Sequence, residues 1–190
     1  VIEDLAELPV RVELASEFRY RNPIVDENTL VIIISQSGET ADTLAALKEA
    51  KARGAHILSI VNVVGSSIAK ASDDVIYTWA GPEIAVATTK AYSTQLIVLY
   101  LFGIYVAERK KSAPLDLLNE LLNEIRKLPQ KIESIFEKED AIKALAENHY
   151  KMSCAFFIGR NIDYAVALEG SLKLKEISYI HSEAYAAGEI

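Results

Sequence analysis

Residues 29–51, TLVIIISQSGETADTLAALKEAK, decide the fold class of this 190-residue chain. The unbroken apolar run from Thr29 to Ile34 predicts a strand that is buried on both faces of a parallel sheet. The stretch GETADTLAALKEAKARG has the spacing of an amphipathic helix, and Gly54 is a suitable residue to end it. A strand that enters a helix through a short polar junction is typical of an α/β protein.

The rest of the chain repeats this alternation of strand and helix. Strands are predicted at residues 10–18 (VRVELASEF), 55–62, 74–80 and 153–160, and helices at 66–73, 85–111 and 163–180, with a polar helical region from 112 to about 150. The opening VIEDLAELPV resembles the last turns of a helix. Such an order predicts a parallel sheet that binds ligands at the carboxyl ends of its strands.

Composition excludes several classes of function. The chain is 51% hydrophobic with a formal net charge of −7, which argues against a nucleic-acid surface. Its one cysteine, Cys154, rules out an internal disulfide and a thiolate metal cluster, and favours a reducing cytoplasm; we expect this thiol to be buried. The three histidines lack metal-ligand spacing. The longest apolar stretch, LIVLYLFGIYVA, suits a buried helix, and no stretch is long enough to span a bilayer.

The junction SQSGET has the chemistry of a phosphate site. Helix N-termini present free N–H groups and a partial positive charge, and Gly38 lets an anion approach the backbone. The side chains of Ser35, Gln36, Ser37 and Thr40 add further donors. The junction lacks the lysine of a P-loop and the glycines of a dinucleotide loop, so a small phosphate monoester fits best. The alternative is that Ser37 only caps the helix.

Two other stretches carry polar residues whose roles the spacing leaves open. GPEIAVATTKAYSTQ brings Glu83, Thr88 and Lys90 to a second junction, where the charges could face a ligand or only solvent. On the predicted helix at 163–180, Lys173 and Glu176 share one stripe with Glu169. They form either a surface salt-bridge ladder or a carboxylate–ammonium pair for proton transfer.

Three of these stretches together resemble one family. ISQSGETADTL, GPEIAVATTKAYSTQ and ALEGSLKLKEISYIHSEAYAAGE are similar to the isomerase part of the glucosamine-6-phosphate synthases, which consists of two sugar isomerase (SIS) modules. The resemblance implies an α/β fold, with a flavodoxin-like parallel sheet sandwiched by helices and incomplete at both ends. It implies a first module at 1–112 without its first strand and helix, a helical connection at 113–152, and the start of a second module at 153–190.

The same resemblance implies the chemistry. The family makes glucosamine 6-phosphate from fructose 6-phosphate and glutamine-derived ammonia, as an aminotransferase and ketose–aldose isomerase, without a cofactor or metal. By residue matching, Glu176 shuttles a proton between C1 and C2 and Lys173 assists it. The residues implied in phosphosugar binding are Ser35, Gln36, Ser37, Thr40, Val86 and Thr88.

The resemblance also implies a homodimer. Together with the composition, we therefore expect a cytoplasmic homodimer that binds neither nucleic acid nor membrane. Because the glutaminase domain and part of the first module are missing from this stretch, we expect the piece alone to be inactive. We also expect residues 154–180 to fill the gap in the first module's sheet, within one chain or by swapping. The alternatives are a non-catalytic SIS module that senses a phosphosugar, and a purely structural dimerisation domain.

Overall fold

The strand predicted from the opening stretch forms β1 (Leu30–Ser35) in a computed structural model that describes residues 1–190. The prediction that β1 is buried on both faces is wrong, because Leu30 and Ile34 are 46% and 42% exposed on the face opposite α3 and α4. The chain divides into two units, each described by itself. Unit 1 is Val1–Ile84 with Thr88–Arg126, and unit 2 is Ala85–Ala87 with Lys127–Ile190.

Unit 1 contains one three-stranded parallel sheet in the order β1-β2-β3. Its other strands are β2 (His56–Val61) and β3 (Asp74–Tyr77). Its helices are α1 (Ile2–Ala6), α2 (Ala15–Phe18), α3 (Ala41–Ala52), α4 (Ser67–Ala71), α5 (Lys90–Lys110) and α6 (Leu115–Arg126). The strand ends Ser35, Val61 and Tyr77 are in register, so the polar junctions leave the sheet at one edge.

The core of unit 1 lies between the sheet and the helices α3 and α4. Ile57 and Val61 of β2 are fully buried against Leu47 of α3 and Ile68 of α4. Each such side chain contributes about 1.5–3 kcal/mol by leaving water. Ser59 of β2 is also fully buried, and its hydroxyl makes no hydrogen bond. The middle strand thus carries one unsatisfied polar group inside an otherwise apolar layer.

Helix α5 borders the other face of the sheet across a groove of about 500 Å³. The groove is lined by Leu30, His56, Leu58, Asp74, Ile76, Val98, Leu101, Phe102 and Tyr105. At its C-terminal half α5 packs against α1 and α6, where Ala6, Ile104, Ala107 and Leu118 are buried, and Lys110 donates to the Ala6 carbonyl at 2.7 Å.

Two predictions about α5 need correction: that no stretch is long enough to span a bilayer, and that this helix is buried. The helix has 21 residues and a mean hydropathy of 1.2, so by length and composition alone it could cross a membrane. That is weak evidence, because core helices of soluble proteins pass the same test. We expected a buried helix, yet only Ala91, Gly103, Ile104 and Ala107 are buried, because one side lies along the groove.

Unit 2 contains a two-stranded parallel sheet with one helix packed against it. β4 (Cys154–Gly159) pairs along its whole length with β5 (His181–Ala186), and α9 (Ile162–Ser178) connects them. A side chain at Gly170 would meet the Phe157 ring at 2.9 Å, so glycine lets α9 approach β4 closely. The remaining helices are α7 (Leu128–Phe136) and α8 (Glu139–His149).

A buried pair of serines fixes α9 to β5. The Ser171 and Ser182 hydroxyl oxygens lie 3.1 Å apart, and the Ser182 hydroxyl donates to the Ser171 carbonyl at 2.8 Å. Both residues are almost fully buried. Their mutual hydrogen bonds remove the cost of placing hydroxyls in an apolar interior.

The predicted parallel α/β architecture is confirmed, but the following four details are wrong. Residues 10–14 form no strand, since neither sheet supplies a partner, and residues 15–18 are α2. The strand at 181–186 was not predicted. Within the chain, residues 154–159 do not fill a gap in the first sheet, because they pair with β5 in a separate sheet.

Cys154 is exposed rather than buried, because it lies at the open end of β4, on the face away from α9. The three-part division at 112 and 152 stays a prediction.

A carboxylate at the amino edge of the first sheet gives the first test. Asp73 accepts from Lys51 Nζ at 2.7 Å and from the Ile57 N–H at 2.9 Å. The hydrogen bond from Lys51, followed by that from the Ile57 backbone, lowers the pKa of Asp73 below its usual 3.8. A carboxylate whose pKa is lower in the folded protein stabilises the fold at pH values above its unfolded-state pKa. This stabilisation is lost as the pH falls through its folded-state pKa.

We therefore expect Asp73→Asn to lower the urea midpoint at pH 7, with a difference from wild type that shrinks as the pH drops below 3.8. Glu120→Gln, at an exposed position on α6, is the matched control. A deficit of Asp73→Asn that stays constant from about pH 7 to about pH 3 would contradict the assignment.

Candidate functional site

The junction between β1 and α3, residues 35–40, is called the hydroxyl loop here, and its own side chains shape it. The Gly38 N–H donates to Ser35 Oγ at 3.1 Å, and Ser35 Oγ lies 3.2 Å from Thr40 Oγ1. The Glu39 N–H donates to Ser37 Oγ at 3.2 Å. Ser35 is buried, whereas Gln36 and Ser37 are partly exposed. The loop is therefore pre-formed and leaves these two side chains open to a ligand.

Helix α4 holds the loop from the other side. The Ile68 N–H donates to the Gly38 carbonyl at 2.9 Å, and the Ser67 N–H donates to Glu39 Oε1 at 2.7 Å. Gly38 has φ +67°, and a Cβ there would lie 2.1 Å from Ser66 Oγ. Only glycine accommodates both the left-handed backbone and the contact with Ser66.

The N-terminus of α3 is open. Thr40 is the N-cap residue, but its side chain makes no capping hydrogen bond. Ser37 does not cap α3, so the capping alternative is wrong; its oxygen accepts instead from Glu39 within the loop. The free N–H groups of the first turn and the positive end of this 12-residue helix suit an anion.

Glu39 contributes a negative charge to the loop, and α4 binds it. Hydrogen bonds from the side chain and the backbone of Ser67 lower the pKa of Glu39. The carboxylate thus remains ionised at neutral pH and is engaged at the first turn of α4.

Asn62, at the end of β2, joins the hydroxyl loop to the loop after β3. Its N–H donates to the Gln36 carbonyl at 3.1 Å. Its side-chain oxygen accepts from the Ala80 N–H at 2.8 Å and the Thr78 hydroxyl at 3.1 Å, while its amide donates to the Gly81 carbonyl at 2.7 Å. We assigned Asn62 no role from the sequence. The signal was present, because asparagine at a strand end commonly bonds to nearby backbone.

The second predicted stretch lies between β3 and α5. Glu83 Oε2 accepts from the Ala91 N–H at 3.4 Å, so this carboxylate faces the first turn of α5 rather than only solvent. Lys90 and Val86 are exposed, Val86 to 92%, and Thr88 is partly buried. Val86 belongs to unit 2 and Thr88 to unit 1.

The predicted catalytic pair lies on α9 in unit 2. Lys173 Nζ is 2.5 Å from Glu176 Oε2 and 3.5 Å from Glu169 Oε1. The hydrogen bond to Glu176, more than the charge of Glu169, raises the pKa of Lys173, and burial opposes the rise. The three side chains are each 21–30% exposed, so they are partly shielded rather than a fully solvated ladder. The stripe predicted from the spacing is present, and its catalytic role stays a prediction.

Comparison with known proteins identifies relatives along the whole chain. The SIS domain family model matches residues 1–105. Glutamine–fructose-6-phosphate aminotransferases [isomerizing] of Clostridium tetani and Caldanaerobacter subterraneus are 59% and 58% identical over 100% of the chain. The chain spans 31% of the length of these relatives.

A solved structure agrees with this match. The C-terminal domain of glucosamine-fructose-6-phosphate aminotransferase from Francisella tularensis superposes with a TM-score of 0.95 at 41% identity, over 99% of this chain and 53% of that one. The resemblance inferred from the three sequence stretches is thereby confirmed.

Replacing Gly38 with alanine tests how the hydroxyl loop is held. The new Cβ would collide with Ser66 and force an L-residue to φ +67°, so we expect a loss of about 2–5 kcal/mol in the free energy of unfolding. Gly65 is the matched control, because it has φ +72° and no atom within 4 Å of the place that a Cβ would occupy. Gly65→Ala should cost only about 1–2 kcal/mol in the same urea titration. Equal losses for the two variants would show that the contact with Ser66 is unimportant.

The Lys173 cluster makes a prediction about pH. Because Glu176 is the main cause of the raised pKa of Lys173, Glu176→Gln should move that pKa down further than Glu169→Gln does. The pKa is measured from the Cε chemical shift of Lys173 between about pH 8 and about pH 12. A lysine whose pKa is raised in the folded protein stabilises the fold below pH 10.5, its ordinary pKa. This stabilisation is lost as the pH rises through the folded-state pKa. A larger shift in Glu169→Gln would reverse the assignment.

Proposed function

The chain belongs to the SIS domain family, and from that premise we propose that its hydroxyl loop binds the phosphate of a phosphosugar. The observation that carries the proposal is the uncapped N-terminus of α3, which lies directly after a loop of hydroxyl and amide side chains. The first-turn N–H groups and the helix dipole attract a phosphate without a lysine or a metal ion.

The loop side chains would complete the phosphate shell. The Ser37 oxygen already accepts a hydrogen bond from Glu39, so its hydroxyl hydrogen is free to donate. Gln36 makes no side-chain hydrogen bond within the protein and offers two donors. Ser35 and Thr40 are hydrogen-bonded to each other and would hold the side chains that contact the phosphate in place. Val86 and Thr88 are proposed to bind the sugar.

We further propose that the chain is the phosphosugar-binding isomerase part of an enzyme that makes glucosamine 6-phosphate from fructose 6-phosphate and ammonia from glutamine. Its relatives at 59% and 58% identity are named for an aminotransferase reaction. Turning a ketose into an amino-aldose requires an imine and the transfer of one proton from C1 to C2. A positioned carboxylate can accept and return that proton.

Glu176 is the proposed base, and Lys173 is its positioning partner. The 2.5 Å contact holds the carboxylate in a fixed position relative to the ammonium, as a positioned base requires. Glu169 makes the longer 3.5 Å contact with the same ammonium and is not needed as a base. No step of this reaction needs a cofactor. We also propose a cytoplasmic homodimer that binds neither nucleic acid nor membrane.

The phosphate assignment is tested by titration of fructose 6-phosphate into the ¹⁵N-labelled chain. We expect saturable shifts of the amides in the hydroxyl loop, and an affinity roughly tenfold to a hundredfold lower in Ser37→Ala, the loss expected for one hydrogen bond to a charged group. Ser134→Ala, at an exposed serine on α7, is the control and should bind like wild type. Equal affinity of wild type and Ser37→Ala would remove Ser37 from the site, and the absence of any shift would overturn the proposal for this chain.

A further inference from the structure

Trp79 is the one tryptophan of the chain, and its placement calls for a functional explanation. It follows β3 at the carboxyl edge of the first sheet and is 76% exposed. Its indole N–H makes no hydrogen bond within the protein, although tryptophans in folded proteins usually bury much of their large ring.

The backbone at Trp79 is held in an unusual conformation. Its φ is +53°, in the left-handed region that bulky L-residues avoid. Asn62 holds both neighbours, because its side-chain oxygen accepts from the Thr78 hydroxyl and the Ala80 N–H. Residues forced into sparsely populated conformations concentrate at ligand-binding sites, where the surrounding contacts stabilise them.

A continuous series of contacts connects Trp79 with the hydroxyl loop. The Trp79 and Tyr77 rings are 5.9 Å apart, and Tyr77 is in register with Val61 on the face covered by α3 and α4. Val61 in turn lies 3.5 Å from the position of a Cβ at Gly38. A second link runs through the backbone of Asn62 to the Gln36 carbonyl. Trp79 and the hydroxyl loop are thus fixed relative to each other at one edge of the sheet.

The strand ends that lead into the hydroxyl loop and towards Trp79 are separated by a distance that suits a hexose phosphate. β1 and β3 lie on either side of β2, so their carboxyl ends are about 10 Å apart at the usual spacing of neighbouring strands. A hexose 6-phosphate anchored by its phosphate at α3 can reach across β2 with its carbon chain. The exposed face of an indole attracts the weakly positive C–H groups of a sugar, as it attracts the edges of other rings.

We infer that Trp79 stacks on the carbon skeleton of the phosphosugar and discriminates a hexose phosphate from phosphate alone. The inference rests on the proposed phosphate site in the hydroxyl loop. It adds a second contact of a different kind, in which the loop recognises the charged group and the indole recognises the sugar carbons.

One labelled sample separates this inference from the function on which it rests. A single tryptophan gives a single indole N–H resonance in a ¹⁵N spectrum, next to the amide resonances of the hydroxyl loop. The chain is titrated with inorganic phosphate and, separately, with fructose 6-phosphate. We expect both to shift the loop amides, but only the sugar phosphate to shift the Trp79 indole and to change its fluorescence.

The other outcomes are each decisive. Loop shifts with fructose 6-phosphate and an unchanged indole would overturn stacking and leave the phosphate site intact. Equal indole shifts with inorganic phosphate would also overturn it, since the ring would then respond to the anion alone. The absence of loop shifts with either ligand would overturn the phosphate site and, with it, the role of Trp79.

Substitution gives an independent check. Trp79→Ala should weaken fructose 6-phosphate binding about five- to tenfold, the range for one lost aromatic contact, and leave phosphate affinity unchanged. Trp79→Phe keeps an aromatic face and should recover part of the loss. Because the side chain is 76% exposed, both variants should fold, which circular dichroism verifies. Equal sugar phosphate affinity in wild type and Trp79→Ala would overturn the inference.

Discussion

The close approach of Gly38 to Ser66 is the constraint on which the candidate site depends. Without a Cβ, the backbone at Gly38 adopts φ +67° and lies against the first turn of α4, where its carbonyl accepts from the Ile68 N–H. This contact sets the path of the hydroxyl loop between β1 and α3. It directs Glu39 to α4 and leaves the start of α3 free. Because folding has already ordered the loop, the proposed ligand would spend no binding energy on ordering it.

The two units use polar groups in different ways. In unit 1 they hold loops at the carboxyl edge of the sheet, where Asn62 makes contacts on both sides. In unit 2 the buried pair Ser171 and Ser182 joins helix to strand, and the charges of α9 remain at the surface of the unit. Partial burial strengthens the pair of Lys173 with Glu176 compared with an exposed ladder, because water screens it less.

Much of this could be predicted from sequence where a pattern has one physical meaning. The short apolar run at β1 and the longer helical spacing at α3 predicted the right elements, and the polar junction between them lies at a strand end. The burial of β1 was overestimated, because Leu30 and Ile34 are exposed. Residues 10–14 show the limit, since alternation predicts a strand only if another strand pairs with it. β5 was missed because HSEAYA has no strong strand pattern and is defined by its pairing with β4. The contacts of Asn62 depend on a loop 16 or more residues away, which spacing cannot reveal.

The position of Asn62 has an evolutionary consequence. The Asn62 side chain is hydrogen-bonded to Thr78, Ala80 and Gly81 as both donor and acceptor, so the conformation of that loop depends on asparagine at this position. A lineage that lengthens or reshapes the loop loses the benefit of asparagine at the end of β2, and a lineage that loses the asparagine frees the loop to diverge. Substitutions at these positions should therefore have non-additive effects, and a grafted loop should keep its conformation only when its asparagine is transferred with it.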